Sequence, residues 1–288
     1  MRNLNHQLKQ LCRTNRDGSY QSQNTRHRLL MLMANQLHEL GFRGMRAVSL
    51  KPKHVDALVK RWTEEGLSAG TLKNRFAALR WWADKVNRQN VVARDNAQNG
   101  IPDRSFVTQA SKAVSVSSET LRQISDAHVR MSLELQQAFG LRREEAIKFQ
   151  PEYADRGDHV LLKASWTKGG KARAVPVRTE AQHDVLVRAR QLAGRGSLIP
   201  SARNYREQLR LYERQTAAAG LSKLHGLRHR YAQEHYQAMT GWPAPAAGGP
   251  SAKDLSLEQR TSDRTARLII SRELGHDRQA VTGVYLGR

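Results

Sequence analysis

Four short stretches in the second half of the sequence, and one tyrosine beyond them, carry the side chains that could do chemistry. In chain order they are Gly140-Leu-Arg142-Arg143-Glu-Glu145-Ala, Lys168-Gly-Gly-Lys171-Ala-Arg-Ala-Val-Pro, His225-Gly-Leu-Arg228-His229 and Leu274-Gly-His276, with Tyr285 nine residues further on. Arginines are planar, permanently charged and bidentate toward phosphate oxygens, so a pair of them suits a phosphorus centre gaining negative charge. Histidine exchanges a proton near neutral pH. A phenol ordinarily loses its proton near pH 10, and neighbouring positive charge favours the ionised form. The chemistry open to such a set is attack by a tyrosine on a phosphodiester without a metal.

Singly, each stretch has an ordinary reading. An Arg after Gly-Leu is usually a surface residue at the start of a helix, and a Lys in a Gly-rich turn is usually solvated. A His-x-x-Arg pair commonly lies on a helix surface, and a tyrosine near a C-terminus commonly packs. Their order and spacing in one basic chain outweigh those readings together. On these motifs the sequence resembles the tyrosine recombinase (phage-type integrase) family, most specifically over residues 116–288. Over the first 110 residues the likeness is looser, to the family's small basic helical core-binding domain.

The resemblance implies a role for each residue. Arg142 and Arg228 would clamp the non-bridging oxygens of the scissile phosphate, and Tyr285 would be the nucleophile. His225 would take the tyrosine's proton and return it in the reverse step. Lys168 would protonate the departing 5′-oxygen, with Lys171 as its local rival. His276 would donate to a phosphate oxygen, and Glu145 would orient the basic residues rather than carry a proton. Arg143 is the alternative to Arg142, which the Gly-Leu-Arg-x-x-Glu alignment favours. The bond energy would be kept in a 3′-phosphotyrosyl linkage, so no cofactor, ATP or metal is expected. The implied partner is double-stranded DNA with specific recombination sites, bound by a homotetramer in the synapse, with accessory DNA-bending proteins as further partners. The implied activity is integration or excision of a mobile element. Two alternatives stand beside it: a type IB topoisomerase, which shares the Arg–Lys–Arg–His–Tyr set, and a DNA-binding regulator with a disused site.

Two features depart from the family. His225 and His276 are 51 residues apart, longer than usual, with the excess around 241–259. Only Leu286-Gly-Arg288 follows Tyr285, too short for the terminal helix that many members pass to a neighbour. Protomers are therefore expected to be monomeric when free. On DNA they would associate through the N-terminal helices and the Tyr285 helix, with the 241–257 stretch contributing.

These residues must be held by a fold, and its periods are legible. Leu72, Phe76, Leu79, Ala83 and Val86 recur at helical spacing over 68–90, behind Ser68 or Thr71 as a cap. Leu29, Leu30, Met33, Leu37 and Leu40 outline a second helix ending at Gly41, and Val55–Trp62 a third after Pro52. Periodicity fails over 91–116, which places a linker near 98–115, between a helical domain at 1–110 and a second domain at 116–288. Ser117-Ser-Glu-Thr opens helical sequence running in two pieces to Gly140. His159–Ser165 and Ala172–Val177 alternate like two strands, joined at Lys168–Lys171. Helices are expected over 180–192, 202–219, 228–239 and 261–274, and a Pro/Gly/Ala-rich loop over 242–250. The fold class is mostly α with one small antiparallel sheet (α+β), two domains forming a clamp.

Charge agrees with a polyanionic partner. The 288 residues carry a net charge of +22, and both halves share it: residues 1–110 hold 19 Lys/Arg against 8 Asp/Glu, and the remainder 29 against 18. Such chains gain free energy by displacing counterions condensed on phosphates. The single cysteine, Cys12, excludes an internal disulfide and a Cys-based zinc finger. With no signal-peptide pattern and no apolar run of about 18 residues, a cytoplasmic, nucleoid-associated location off the membrane is expected. His-Glu-x-x-His, Walker and Gly-x-Ser-x-Gly motifs are missing, and Asp155, Asp158 and Glu180 form no metal-binding pattern.

Overall fold

The computed structural model describes residues 2–103, 107, 110–276 and 278–288. The chain divides into two compact units, Met1–Arg104 and Ser105–Arg288. This division falls inside the expected linker, of which residues 104–106 and 108–109 lie outside the described residues.

The first unit is four helices: α1 (Asn3–Thr14), α2 (Tyr20–Glu39), α3 (Pro52–Glu64) and α4 (Ala69–Lys85). Ser68 caps α4 by accepting from the Thr71 amide, and Pro52 opens α3, where its missing N–H costs nothing. Leu8, Leu30, Met33, Leu37, Leu58, Trp62, Phe76, Leu79 and Trp82 fill the core. The two buried indoles are satisfied: Trp62 donates to Gln36 Oε1 at 3.0 Å and Trp82 to the Ala47 carbonyl at 3.0 Å. Helix α1 had no expectation from sequence, and α2 begins nine residues before the stripe that announced it.

The second unit opens with α5 (Ser118–Gln123) and α6 (Ala127–Phe139), the two pieces expected before Gly140. Then come α7 (Arg143–Ile147), α8 (Pro151–Ala154) and the strands β1 (His159–Leu162) and β2 (Arg173–Pro176). The strands pair antiparallel with Val160 opposite Val175 and Leu162 opposite Arg173. Val160, Leu162, Arg173 and Val175 all lie on the buried face, so an arginine occupies a position where the alternation calls for an apolar side chain. The rest is α9 (Glu180–Ala193), α10 (Tyr205–Ala218), α11 (Gly226–Thr240), α12 (Leu257–Glu273) and the one-turn α13 (Gly283–Leu286). Gly275, at φ +68°, ends α12 as expected.

Between α11 and α12 the Pro/Gly/Ala-rich stretch is irregular, as its composition predicts, but it is packed. Its Pro245–Ala247 turn lies against α13, and Ala244 enters the core cluster that holds Tyr285 and Leu286. Gly249 is required there, because a Cβ would sit 1.7 Å from the Pro243 carbonyl oxygen. Among the described residues no helix is long and apolar enough to cross a membrane.

Candidate active site

The end of α6 turns on Gly140, whose φ of +59° is left-handed and whose Cβ would fall 2.6 Å from the Tyr231 ring. This turn delivers Arg142 as the N-cap of α7. Glu145, three residues on, accepts the Arg142 amide at 2.7 Å and its guanidinium at 2.8 Å. Arg143 points elsewhere, pairing with Glu213 at 2.9 Å. The Gly-Leu-Arg-x-x-Glu spacing is therefore a capping device that turns one arginine of the two into the site.

Arg173 completes the other side of Glu145. Its two terminal nitrogens donate to the two carboxylate oxygens at 2.7 and 2.6 Å, and its Nε donates to the Glu273 carbonyl at 2.9 Å. Burial alone would raise the Glu145 carboxyl. The Arg173 hydrogen bonds and charge, with Arg228 and Arg142 behind them, overcome it and hold the group at about 2.

Arg228, in the first turn of α11, is 1% exposed. It donates to the Gly140 carbonyl at 2.5 Å, to the Leu274 carbonyl, and through Nε to the Tyr285 hydroxyl at 3.3 Å. Arg142 reaches the same Leu274 carbonyl at 3.2 Å, so one backbone oxygen joins both guanidiniums. Burial lowers the Arg228 guanidinium to about 10, which leaves it charged at neutral pH. Three arginines around one carboxylate leave this cluster net positive, an arrangement suited to an anion.

Three imidazoles surround the phenol. Ring centroids of His225, His229 and His276 lie 6.0, 4.8 and 6.2 Å from that of Tyr285. Burial, then Arg228 and Arg142, push His225 below its ordinary value, so it is neutral at pH 7 and able to accept a proton. His229 is pushed further, to about 4, by burial and by His225, Lys112 and Arg228.

Lys168 and Lys171 are exposed on the β1–β2 connection and line a cleft of about 480 Å³ with Arg142, Arg173, Arg272 and Gly275. Glu273, also on this lining, accepts from Tyr231 at 3.0 Å and pairs with Arg178 and His235. Among the described residues no cluster of His, Cys, Asp or Glu could hold a metal ion.

Arg142, Glu145, Arg228, His225, His276 and Tyr285 are thus gathered at one place, with Lys168 on the wall of the adjoining cleft. Arg173 and His229 were missed from sequence. Both left a signal: Arg173 falls in phase with Val175 on β2, and His229 lies one helical turn beyond His225.

A mostly helical two-unit chain that sets a tyrosine hydroxyl beside a buried guanidinium narrows the class of protein, and family comparison makes it specific. A model of the phage integrase N-terminal family matches residues 1–92, and a model of the integrase family matches residues 100–234. The second match takes in Arg142, Lys168, His225 and Arg228 and stops short of His276 and Tyr285. The chain belongs to the tyrosine recombinase (phage-type integrase) family, enzymes that break and rejoin DNA by site-specific recombination.

Solved structures share the fold at low identity. XerH site-specific recombinase on palindromic difH substrate, in a post-cleavage complex, matches with TM-score 0.60 and 19% identity over 98% of this chain and 80% of that one. The lambda integrase tetramer on a Holliday junction matches with TM-score 0.55 and 14% identity, over 91% and 77%. The Tn1549 transposon integrase with circular intermediate DNA matches with TM-score 0.54 and 14% identity, over 99% and 95%. No curated protein sequence matches the chain.

Proposed function

We propose that this protein recombines DNA at specific sites through a 3′-phosphotyrosyl intermediate on Tyr285, integrating or excising a mobile element. The observation that carries the reading is the Leu274 carbonyl. It binds Arg142 and Arg228 together while Arg228 Nε rests on the Tyr285 hydroxyl. Two guanidiniums and a phenol are thereby prearranged for one phosphate, and fixed charge aimed at a transition state is usually the largest catalytic contribution.

In the forward step the Tyr285 oxygen attacks phosphorus and its proton passes to the neutral imidazole of His225. Arg142 and Arg228 take the charge on the non-bridging oxygens, with His276 donating to one of them. The bond from phosphorus to the 5′-oxygen breaks, and Lys168 supplies the proton that makes the leaving group a hydroxyl. Attack by the 5′-hydroxyl of a second strand reverses each transfer, so no external energy source enters. Glu145 and Arg173 hold Arg142 without touching the phosphate. Residues 1–110 form the core-binding, DNA-gripping domain and 116–288 the catalytic one. The protein is monomeric when free and tetrameric on paired sites; the lambda integrase tetramer on a Holliday junction supports the second of these states.

Trapping covalent adducts from a randomised pool of nicked duplexes tests this reading. We expect adducts to converge on one sequence, and Tyr285→Phe to bind that sequence while forming none. Adduct formation by Tyr285→Phe would refute the nucleophile. Relaxation of a plasmid lacking the selected site would favour a type IB topoisomerase.

A further inference from the structure

The helix that carries Tyr285 is a single turn between Gly283 and Gly287, too short to be stable by itself. Its position depends on what grips it from outside. The Tyr285 carbonyl, left without a taker at the end of the helix, accepts from Gln233 Nε2 at 2.9 Å. A carbonyl only accepts, so the amide nitrogen of Gln233 must face it, and its oxygen is left for another donor. That donor is Ser111, whose hydroxyl reaches Gln233 Oε1 at 2.8 Å.

Ser111 belongs to the stretch near the start of this unit, ahead of α5, and the stretch is firmly seated. Its Val114 amide donates to the Gly226 carbonyl at 3.1 Å and its Val116 amide to Gln137 Oε1 at 2.9 Å. A Cβ on Gly226 would lie 2.5 Å from the Lys112 carbonyl oxygen and from Val114 Cγ2. The backbone therefore presses directly on the first turn of α11, between His225 and Arg228. On that helix His225, His229 and Gln233 follow at four-residue intervals, which puts Gln233 on the face that looks at Tyr285.

We infer that Gln233 is a positioning residue that ties the backbone of Tyr285, through Ser111, to the segment 111–116. The path of the chain ahead of α5 then helps to fix where the nucleophile stands. This rests on the reading of Tyr285 as the nucleophile. Gln233 touches no reacting atom, and its effect comes through the placement of one that does.

The test compares Gln233→Glu, Ser111→Ala, the double variant and Ser111→Thr. Glutamate keeps the length of Gln233 and its acceptance from Ser111, but turns a carboxylate oxygen toward the Tyr285 carbonyl. With a nicked suicide duplex at saturating protein, we expect unchanged DNA affinity and full final adduct. The single-turnover rate constant should fall on the order of 10- to 100-fold, as befits a nucleophile displaced by a fraction of an ångström. Mere unfolding would lower the amplitude instead. Ser111→Ala should slow cleavage less, the double variant no more than Gln233→Glu alone, and Ser111→Thr, which keeps the hydroxyl, not at all. A wild-type rate constant in Gln233→Glu, or additive effects in the double variant, overturns the inference. Should Gln233→Glu fail to fold, the exposed Ser111→Ala decides alone, and an unchanged rate overturns it. Hydrogen exchange over 283–288 in the DNA-free protein separates this from the underlying reading. Faster exchange there in Gln233→Glu supports the tether, and unchanged exchange refutes it. A failure of the unaltered protein to form any adduct refutes only the nucleophile.

Discussion

Glu145→Gln removes the one carboxylate inside the arginine cluster without changing its shape, and its cost can be worked two ways. Glu145 is fully buried and accepts one amide and three guanidinium hydrogen bonds. Its carboxyl is held at about 2 against an ordinary 4.5, which at 1.36 kcal/mol per pH unit amounts to about 3 kcal/mol. Breaking a buried ion pair from one side costs about 3–5 kcal/mol, in agreement. For a unit of this size that lowers the thermal midpoint by about 6–12 °C. The sign follows from the depressed folded value. Glu145 contributes in full above the unfolded value of 4.5 and loses its contribution as pH falls toward 2. Calorimetry at pH 7 and pH 3.5 should show the gap between the two proteins narrowing by about 1.4 kcal/mol at the lower pH. Equal midpoints at pH 7, or a gap that does not change with pH, would refute the placement of Glu145 as a buried counter-ion.

Further outcomes follow from the same geometry. Gly140→Ala puts a Cβ 2.6 Å from the Tyr231 ring in a left-handed conformation and should cost about 3 kcal/mol in denaturant unfolding, strain and overpacking together. Lys168→Ala should cleave an ordinary duplex very slowly and recover on a 5′-bridging phosphorothiolate, whose thiolate leaves without a proton. Rescue of Lys171→Ala in its place would transfer the acid role to Lys171. Because His225 is held below its ordinary value, the single-turnover cleavage rate should rise with pH to a midpoint below 6.5 and be flat above 7. A His225 midpoint above 7 would contradict its role as a neutral base.

Long amphipathic elements were legible because their apolar residues repeat over several turns. Helix α4 and its Ser68 cap, the two pieces before Gly140 and the β1–β2 pairing all follow from period and punctuation. Helix α1 was missed although Leu4, Leu8 and Leu11 keep helical spacing, because the stripe is only three residues long and no side chain caps its start. Helices α7 and α13 hold five and four residues, too few to display a period. At the site, the motifs named Arg142, Arg228, His225 and Tyr285, and the structure gathers them. The Leu274 carbonyl that joins the two arginines is a backbone atom, which residue types do not reveal. Arg173 broke the alternation of a strand, and that conflict between pattern and charge marked a buried ion pair. The Ser111–Gln233 contact spans 122 positions and carries no local signature.

The most direct measurement is the identity of the residue that bonds to DNA. The unaltered protein would be incubated with a nicked suicide duplex from the selected pool, denatured and digested with protease and nuclease. Mass spectrometry would then locate the nucleotide-bearing peptide. The seven tyrosines make the assignment discriminating. We expect a single modified peptide with a 3′-phosphonucleotide on Tyr285, absent from Tyr285→Phe. A nucleotide on any other residue, or on the 5′ side of the break, would contradict the chemistry assigned to Arg142, Arg228 and Tyr285.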